Sequence, residues 1–195
     1  MRVSKETAAH NREEILASAA RLFRERGIGA TGVDSITEDA GLTHGSLYSQ
    51  FGSKQAIVAE AVRFALARSK RRWHREVQGK PGKKAFAGIV ASYLSQAHRD
   101  SPGNGCLVAA LSGDIARQPR MVRQAFTREL KDVFEFLAEL MPDVSPSRRY
   151  GDAVAAYACM VGAVILARAV SDEALSNRIL KTAANRVGKI AKITT

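Results

Sequence analysis

Residues 31–54 read TGVDSITEDAGLTHGSLYSQFGSK, and this stretch decides the fold. Its spacing predicts two short helices joined by a tight turn. Val33, Ile36 and Ala40 recur at offsets of three and four, which gives the first helix one apolar face. Thr31 stands where it can cap that helix, with Asp34 three residues on to return the bond as a capping box. Gly41 takes the left-handed conformation at a helix end at least cost. Leu42 then turns inward, and Thr43 opens a second helix, about His44 to Gln50, as its N-cap. Only Leu47 and the following Phe51 point from that helix into a core. His44, Gly45, Ser46, Tyr48, Ser49 and Gln50 are left as an outer face of hydrogen-bonding groups.

A short helix with few buried residues and a polar outer face suits the major groove of DNA. Small and polar side chains at its start let it enter, and its first amides can hold a phosphate. Tyr48 offers a phenol for a phosphate oxygen, and His44 and Ser46 can reach base edges or phosphates. Ser53 caps a third helix, and Lys54 in its first turn can clamp the DNA backbone. The competing reading is an ordinary helical hairpin inside a bundle.

The span Ile15–Glu60 resembles the DNA-binding domain of TetR-family transcriptional regulators. The matching pieces are Leu22-Phe23 with Glu25-Arg26-Gly27, then Thr31 and Val33. Ala40-Gly41-Leu42-Thr43, Gly45-Ser46-Leu47-Tyr48 and Phe51-Gly52-Ser53-Lys54 follow in the family's order. The resemblance implies a DNA-binding homodimer with a divergent, all-helical effector domain behind it. It also implies phosphate contacts at Thr31, Thr43, Gly45, Ser46, Tyr48 and Lys54, and a base contact at His44. Ser49-Gln50 departs from the family pattern of an aromatic or His before the Phe, so no contact is carried over there.

The rest of the chain agrees with an all-α fold: an N-terminal three-helix helix-turn-helix domain over 1–53, and a helical effector-binding and dimerisation domain over 54–195. The helix at 54–77 is expected to connect them. Helix formers dominate, and no segment alternates with period two. The net charge of +11 is unevenly spread. Residues 1–52 hold six Arg or Lys against seven Asp or Glu, whereas 53–84 hold ten against two. The motif therefore carries the DNA reading, and the charge supports it only loosely. Arg71 lies roughly 25 Å beyond Lys54 along one helix, so the basic run Arg68–Arg75 reads as a solvated helix end.

Helix 1 is expected from about Thr7 to Arg26, behind a polar lead with Arg2 and Lys5 that reads as a disordered arm. Later helices are expected over Ala85 to about His98, Cys106 to about Arg117, Met121 to Met141, Ser145-Pro146 to about Val170, and from Ser171 onward. Trp73 is expected in the core or at its boundary. The longest apolar run, Ala153–Ala167, is short of the roughly 18–20 residues a bilayer needs. A buried helix, no membrane association and a cytoplasmic location follow. The last two helices are too apolar for a free surface, and the resemblance implies that they pair with a second subunit.

Two features bear on what the protein senses. Cys106 follows Ser-Pro-Gly-Asn-Gly and begins a helix, where the partial positive charge stabilises a thiolate. Gly105-Cys106-Leu107 also resembles a NemR-like, electrophile-responsive branch of the family. The competing reading is a small apolar core residue. Phe64, Tyr93 and Phe126 are candidates to line a ligand cavity, though such residues more often fill core. His74 and His98 lack companions at ligand spacing, so no metal site is expected. No phosphate loop, nucleophile elbow or carboxylate–histidine cluster points to a catalytic site or a cofactor.

The leading function is therefore a sequence-specific regulator, a repressor released from a palindromic operator in double-stranded DNA. Release would follow from a small-molecule effector or from modification of Cys106. A non-specific, basic DNA-organising protein is the alternative, and it sits badly with the near-neutral reading domain.

Overall fold

A computed structural model describes residues 5–141 and 145–191, and among them every regular element is helical. The helices are α1 (Lys5–Arg26), α2 (Val33–Asp39), α3 (His44–Phe51), α4 (Lys54–Val77) and α5 (Gly82–Tyr93). They continue with α6 (Gln96–Asp100), α7 (Leu107–Ala116), α8 (Arg120–Glu139), α9 (Pro146–Ala169) and α10 (Glu173–Ile190); a 3-10 turn at Pro102–Asn104 precedes α7. The all-α expectation holds.

Three boundaries differ from those read in the sequence, each for a local reason. Helix α1 starts at Lys5 rather than at about Thr7, so Lys5 belongs to the helix and not to an arm; Arg2 lies outside the described residues. The single helix expected over Ala85–His98 is two. Gly82–Tyr93 ends at Leu94, because Ser95 starts α6 by accepting a bond from the His98 amide at 3.2 Å. The last helix, expected from Ser171 onward, begins at Glu173, because Asp172 caps α10 by accepting from the Leu175 amide at 2.9 Å. The break implied between the helices expected to end at Met141 and to begin at Ser145-Pro146 falls on residues 142–144, outside the described residues.

The chain forms two compact units. The first comprises residues up to Arg68 together with Cys106–Glu129; the second comprises Ser69–Gly105 and the chain from Leu130 onward. These units cut the chain elsewhere than at 53/54. In the first, α1 buries Ile15, Ala19, Leu22 and Phe23 and packs against α2, α3 and α7. Gly27 ends α1 at φ +83°, and a Cβ there would stand 3.0 Å from the Asp114 carboxylate of α7. That carboxylate accepts the Ile28 amide at 2.9 Å, which ties the α1 turn to α7.

The second unit is built on α9 and α10, with α5 against α10 and α6 against α9. Trp73 is core here: it stacks on Phe136 at 6.2 Å and meets Tyr157 edge-on at 6.2 Å. Removing an aromatic ring from such a site costs about 3–5 kcal/mol. Helix α9 corrects the expectation of a buried helix. Arg148–Ala169, with mean hydropathy 1.6, is long and apolar enough by length and composition to cross a membrane, yet only 39% of its most apolar window is buried. Ala153, Ala156, Tyr157, Met160, Val164 and Ala167 face inward, whereas Ile165 and Leu166 are exposed, Leu166 at 57%.

Candidate nucleic-acid interface

The interface is assembled by local capping chemistry. Thr31 does not cap α2. Gly32 holds the N-cap position without a side-chain bond, and Thr31 is 0% exposed. Its hydroxyl donates to the Gly27 carbonyl at 2.7 Å, a carbonyl left open where the left-handed glycine ends α1. The capping box is therefore replaced by an internal bond, and this hydroxyl is turned away from any phosphate.

Downstream the reading holds. Gly41 takes φ +64°, and Leu42 returns its amide to the Thr37 carbonyl at 2.8 Å, which makes the turn. Thr43 caps α3, accepting the Ser46 amide at 3.3 Å. Leu47 is fully buried and Phe51 nearly so. Thr43, His44, Gly45, Tyr48 and Ser49 are exposed, with Ser46, Gln50 and Lys54 half-buried. Ser53 accepts the Ala56 amide at 3.2 Å, so Lys54 begins α4 directly after the turn at Gly52.

Side chains on this face are pre-set by one another. The Ser46 hydroxyl accepts from Gln50 Nε2 at 3.4 Å, which leaves its own proton to donate. His44 Nε2 lies 3.3 Å from Asp34, and its ring meets Tyr48 at 4.9 Å between centroids. A Cβ on Gly45 would meet nothing in the chain, so no internal packing demands a glycine there.

One residue was not found from the sequence. Arg12 of α1 sits over the Phe51 ring at 4.3 Å, donates to the Gln50 carbonyl at 3.1 Å and pairs with Glu60 of α4. It fixes the C-terminal end of α3 from behind. Its partners are 38 and 48 residues away, and no sequence spacing could reveal them.

A helix-turn-helix whose second helix is capped, anchored by two buried residues and otherwise exposed is the arrangement of a DNA-binding domain. Residues 15–61 match the family profile described as bacterial regulatory proteins, tetR family. An uncharacterised helix-turn-helix transcriptional regulator of Mycobacterium tuberculosis is 28% identical over 169 residues, 83% of this chain and 86% of that protein. The repressor KstR2 of Mycolicibacterium smegmatis is 46% identical over 55 residues, 28% of this chain and 27% of its own. Among solved structures, the reduced form of Escherichia coli NemR superposes with a TM-score of 0.79 at 21% identity, covering 92% and 96% of the two chains. A TetR-family regulator of Cytophaga hutchinsonii gives 0.78 at 20% identity, covering 97% and 98%. At such identities the likeness is one of fold. Residues 15–61 therefore match a tetR-type helix-turn-helix domain, the curated relatives are named as transcriptional regulators, and the chain as a whole shares the fold of solved TetR-family structures.

The candidates for sensing fall in different places. Cys106 is the N-cap residue of α7 and is 5% exposed; Cys159, half-buried in α9, belongs to the other unit. Phe64 and Phe126 are half-buried in the first unit and line neither described pocket, whereas Tyr93 lines one in the second unit. Arg24, in the same unit as Cys106, is pushed down to about 10, chiefly by burial; the Cys106 sulfur acts in the other direction, and Arg68 adds to the lowering. A guanidinium at that value still carries its charge at neutral pH.

His98 lies in the second unit. Its Nδ1 donates to the Tyr93 carbonyl, and Arg168 of α9 donates to the carbonyls of His98 at 2.7 Å and Arg99 at 2.8 Å. Burial holds the His98 imidazole below its ordinary value; Arg168 and Arg72 add to the lowering, while the Tyr93 bond opposes it. With the folded value below the unfolded one, the unfolded chain takes up the proton first as pH falls. This group's contribution is whole above about pH 6.5 and is lost as pH falls through the folded value. His98→Gln is expected to flatten the fall in unfolding free energy between about pH 7 and about pH 5.5. Urea unfolding at each pH measures it, and an unchanged slope removes His98 as the cause.

Proposed function

We propose that this regulator is a homodimeric repressor that reads a near-palindromic operator with α3 and leaves it on a chemical signal. The observation that carries the reading is the division of α3: a buried inner side of Leu47 and Phe51, and an outer side capped, aligned and exposed to solvent. Thr43, Gly45, Ser46, Tyr48 and Lys54 are assigned to phosphates, and His44 to a base edge. Gly45, in the exposed first turn of α3, fits a close approach by an external surface, because a Cβ there would meet nothing in the chain and packing does not require a glycine. Residues 1–53 would act as the reading domain, 54–195 as the sensing and dimerising part, with α4 as connector.

The dimer reading is supported by α9. Val154, Ala155, Ala158, Val161, Ile165, Leu166 and Ala169 are half-buried or exposed at helical spacing, an apolar stripe opposite the one packed in the core. A second copy of α9 and α10 would cover it. Two reading helices are also what specificity requires, since one good base contact discriminates by only ~1–3 kcal/mol. A cytoplasmic location accords with action on DNA.

Two triggers are assigned. A small molecule bound in the second unit would act through α4, whose Trp73 belongs to that unit's core and whose first residue is Lys54. A coupling of ~1–3 kcal/mol changes DNA affinity about 5- to 150-fold. Alternatively, an electrophile or oxidant would modify Cys106 in the same unit as the reading head; the similar NemR structure is described as a reduced form.

The contact assignment is tested by two substitutions. Tyr48→Phe should weaken all duplexes alike, by about 5- to 10-fold, the scale of one charge-assisted hydrogen bond. His44→Ala should change the selected sequence at one position per half-site. Loss confined to particular sequences in the first variant, or an unaltered motif in the second, reassigns those residues.

A further inference from the structure

The second unit holds a pocket of about 260 Å³ whose lining carries one sign of charge. Arg72 and Trp73 of α4 form one side, Ser92 and Tyr93 of α5 another, and His98, Asn104 and Gly105 the region before α7. Among the described residues, no Asp or Glu lines it. Hydroxyls and an amide offer hydrogen bonds, the Trp73 and Tyr93 rings supply an apolar wall, and Arg72 is the cation. Arg71 and Arg75 are exposed on the same stretch of helix and add to the positive field. A cleft of one sign against low-dielectric walls concentrates ions of the other sign. His98, held down chiefly by burial and further by Arg168 and Arg72, adds no negative charge to this lining. Gly105 leaves the room: a Cβ there would come within 3.0 Å of His98 Nε2 and 2.8 Å of Arg168 Nη2.

We infer that this pocket binds a small organic carboxylate with a flat apolar body, its carboxylate held by Arg72 and its body against Trp73 and Tyr93. The volume lies below the roughly 300–1,000 Å³ of drug-sized sites, which limits the ligand to a single ring or a comparable chain. The inference deepens the effector-responsive reading and rests on it for its regulatory meaning. Two of the lining residues belong to α4, so occupancy acts on the helix that begins at Lys54.

Trp73 is the only tryptophan of the chain, so selectively excited tryptophan emission reports the surroundings of this one lining residue. The test titrates the full-length protein, without DNA, with benzoate and with benzamide, its neutral counterpart of the same shape. Benzoate should give a saturable change in Trp73 emission, and benzamide should bind at least about tenfold more weakly. Arg72→Gln should weaken benzoate by about tenfold or more while leaving the circular dichroism unchanged, and Arg75→Gln should stay within about twofold of the parent. Equal binding of the two compounds, no saturable response, or equal losses in the Arg72 and Arg75 variants would overturn the assignment. Because binding is read without DNA, these results stand apart from the DNA-binding reading. A separate titration of the protein–DNA complex with benzoate then measures release.

Discussion

Protein carrying Ile165→Glu and Leu166→Glu is expected to sediment as a monomer and to lose operator affinity by about three orders of magnitude, down to its non-specific level. Both residues are exposed on α9 while their neighbours Val164 and Ala167 are buried, so the substitutions leave the subunit core untouched. In a paired interface each glutamate would be desolvated against an apolar stripe, which costs several kcal/mol per charge. A monomer keeps one reading head and therefore one half-site. The loss should fall on palindromic duplexes and spare random ones. Unchanged sedimentation in the variant, with intact operator binding, would move the dimer surface elsewhere.

Cys106→Ser is expected to abolish release by thiol reagents while leaving DNA binding within about twofold of the parent. Cys106 begins α7 in the unit that contains α1–α3, and it is nearly buried. The charged Arg24 lies within its electrostatic reach. An adduct of N-ethylmaleimide has no room at such a site, and overpacking forces neighbours to shift at a cost of about 1–3 kcal/mol or more. Since α7 is bonded to the turn after α1 through Asp114 and Ile28, that shift reaches the helix that backs α3. Treated parent protein should lose about tenfold or more in affinity, and so should Cys159→Ser, whereas Cys106→Ser should not respond. If Cys106→Ser is released like the parent, the thiol trigger is wrong and the effector pocket alone remains.

How much of this was legible in the sequence depends on how far the determining partner lies along the chain. Thr43, Gly41 and Ser53 were readable because cap and turn bonds close within three to five residues. Thr31 was misread although its partner, the Gly27 carbonyl, is only four residues back. Two acceptable uses of one hydroxyl competed, and the end of α1 claimed it. Arg12 could not be found, because Phe51 and Glu60 come to it only once α1, α3 and α4 have packed. The same holds for the association of Cys106–Glu129 with the reading head. Ser95 was overlooked because it sits inside an apolar periodicity that promised one continuous helix. Of the aromatic candidates only Tyr93 lines a described pocket; the cation beside it, Arg72, was read as part of a solvated basic run.

The central claim is that α3 reads sequence as one of a symmetric pair. Sequencing the DNA that purified protein retains from a random-sequence duplex library tests it most directly. An inverted repeat with half-sites about one helical turn apart is expected, lost from the pool retained by the Ile165→Glu/Leu166→Glu protein. A featureless pool, held with a steep dependence on salt, would contradict it and identify a protein that binds DNA by charge alone.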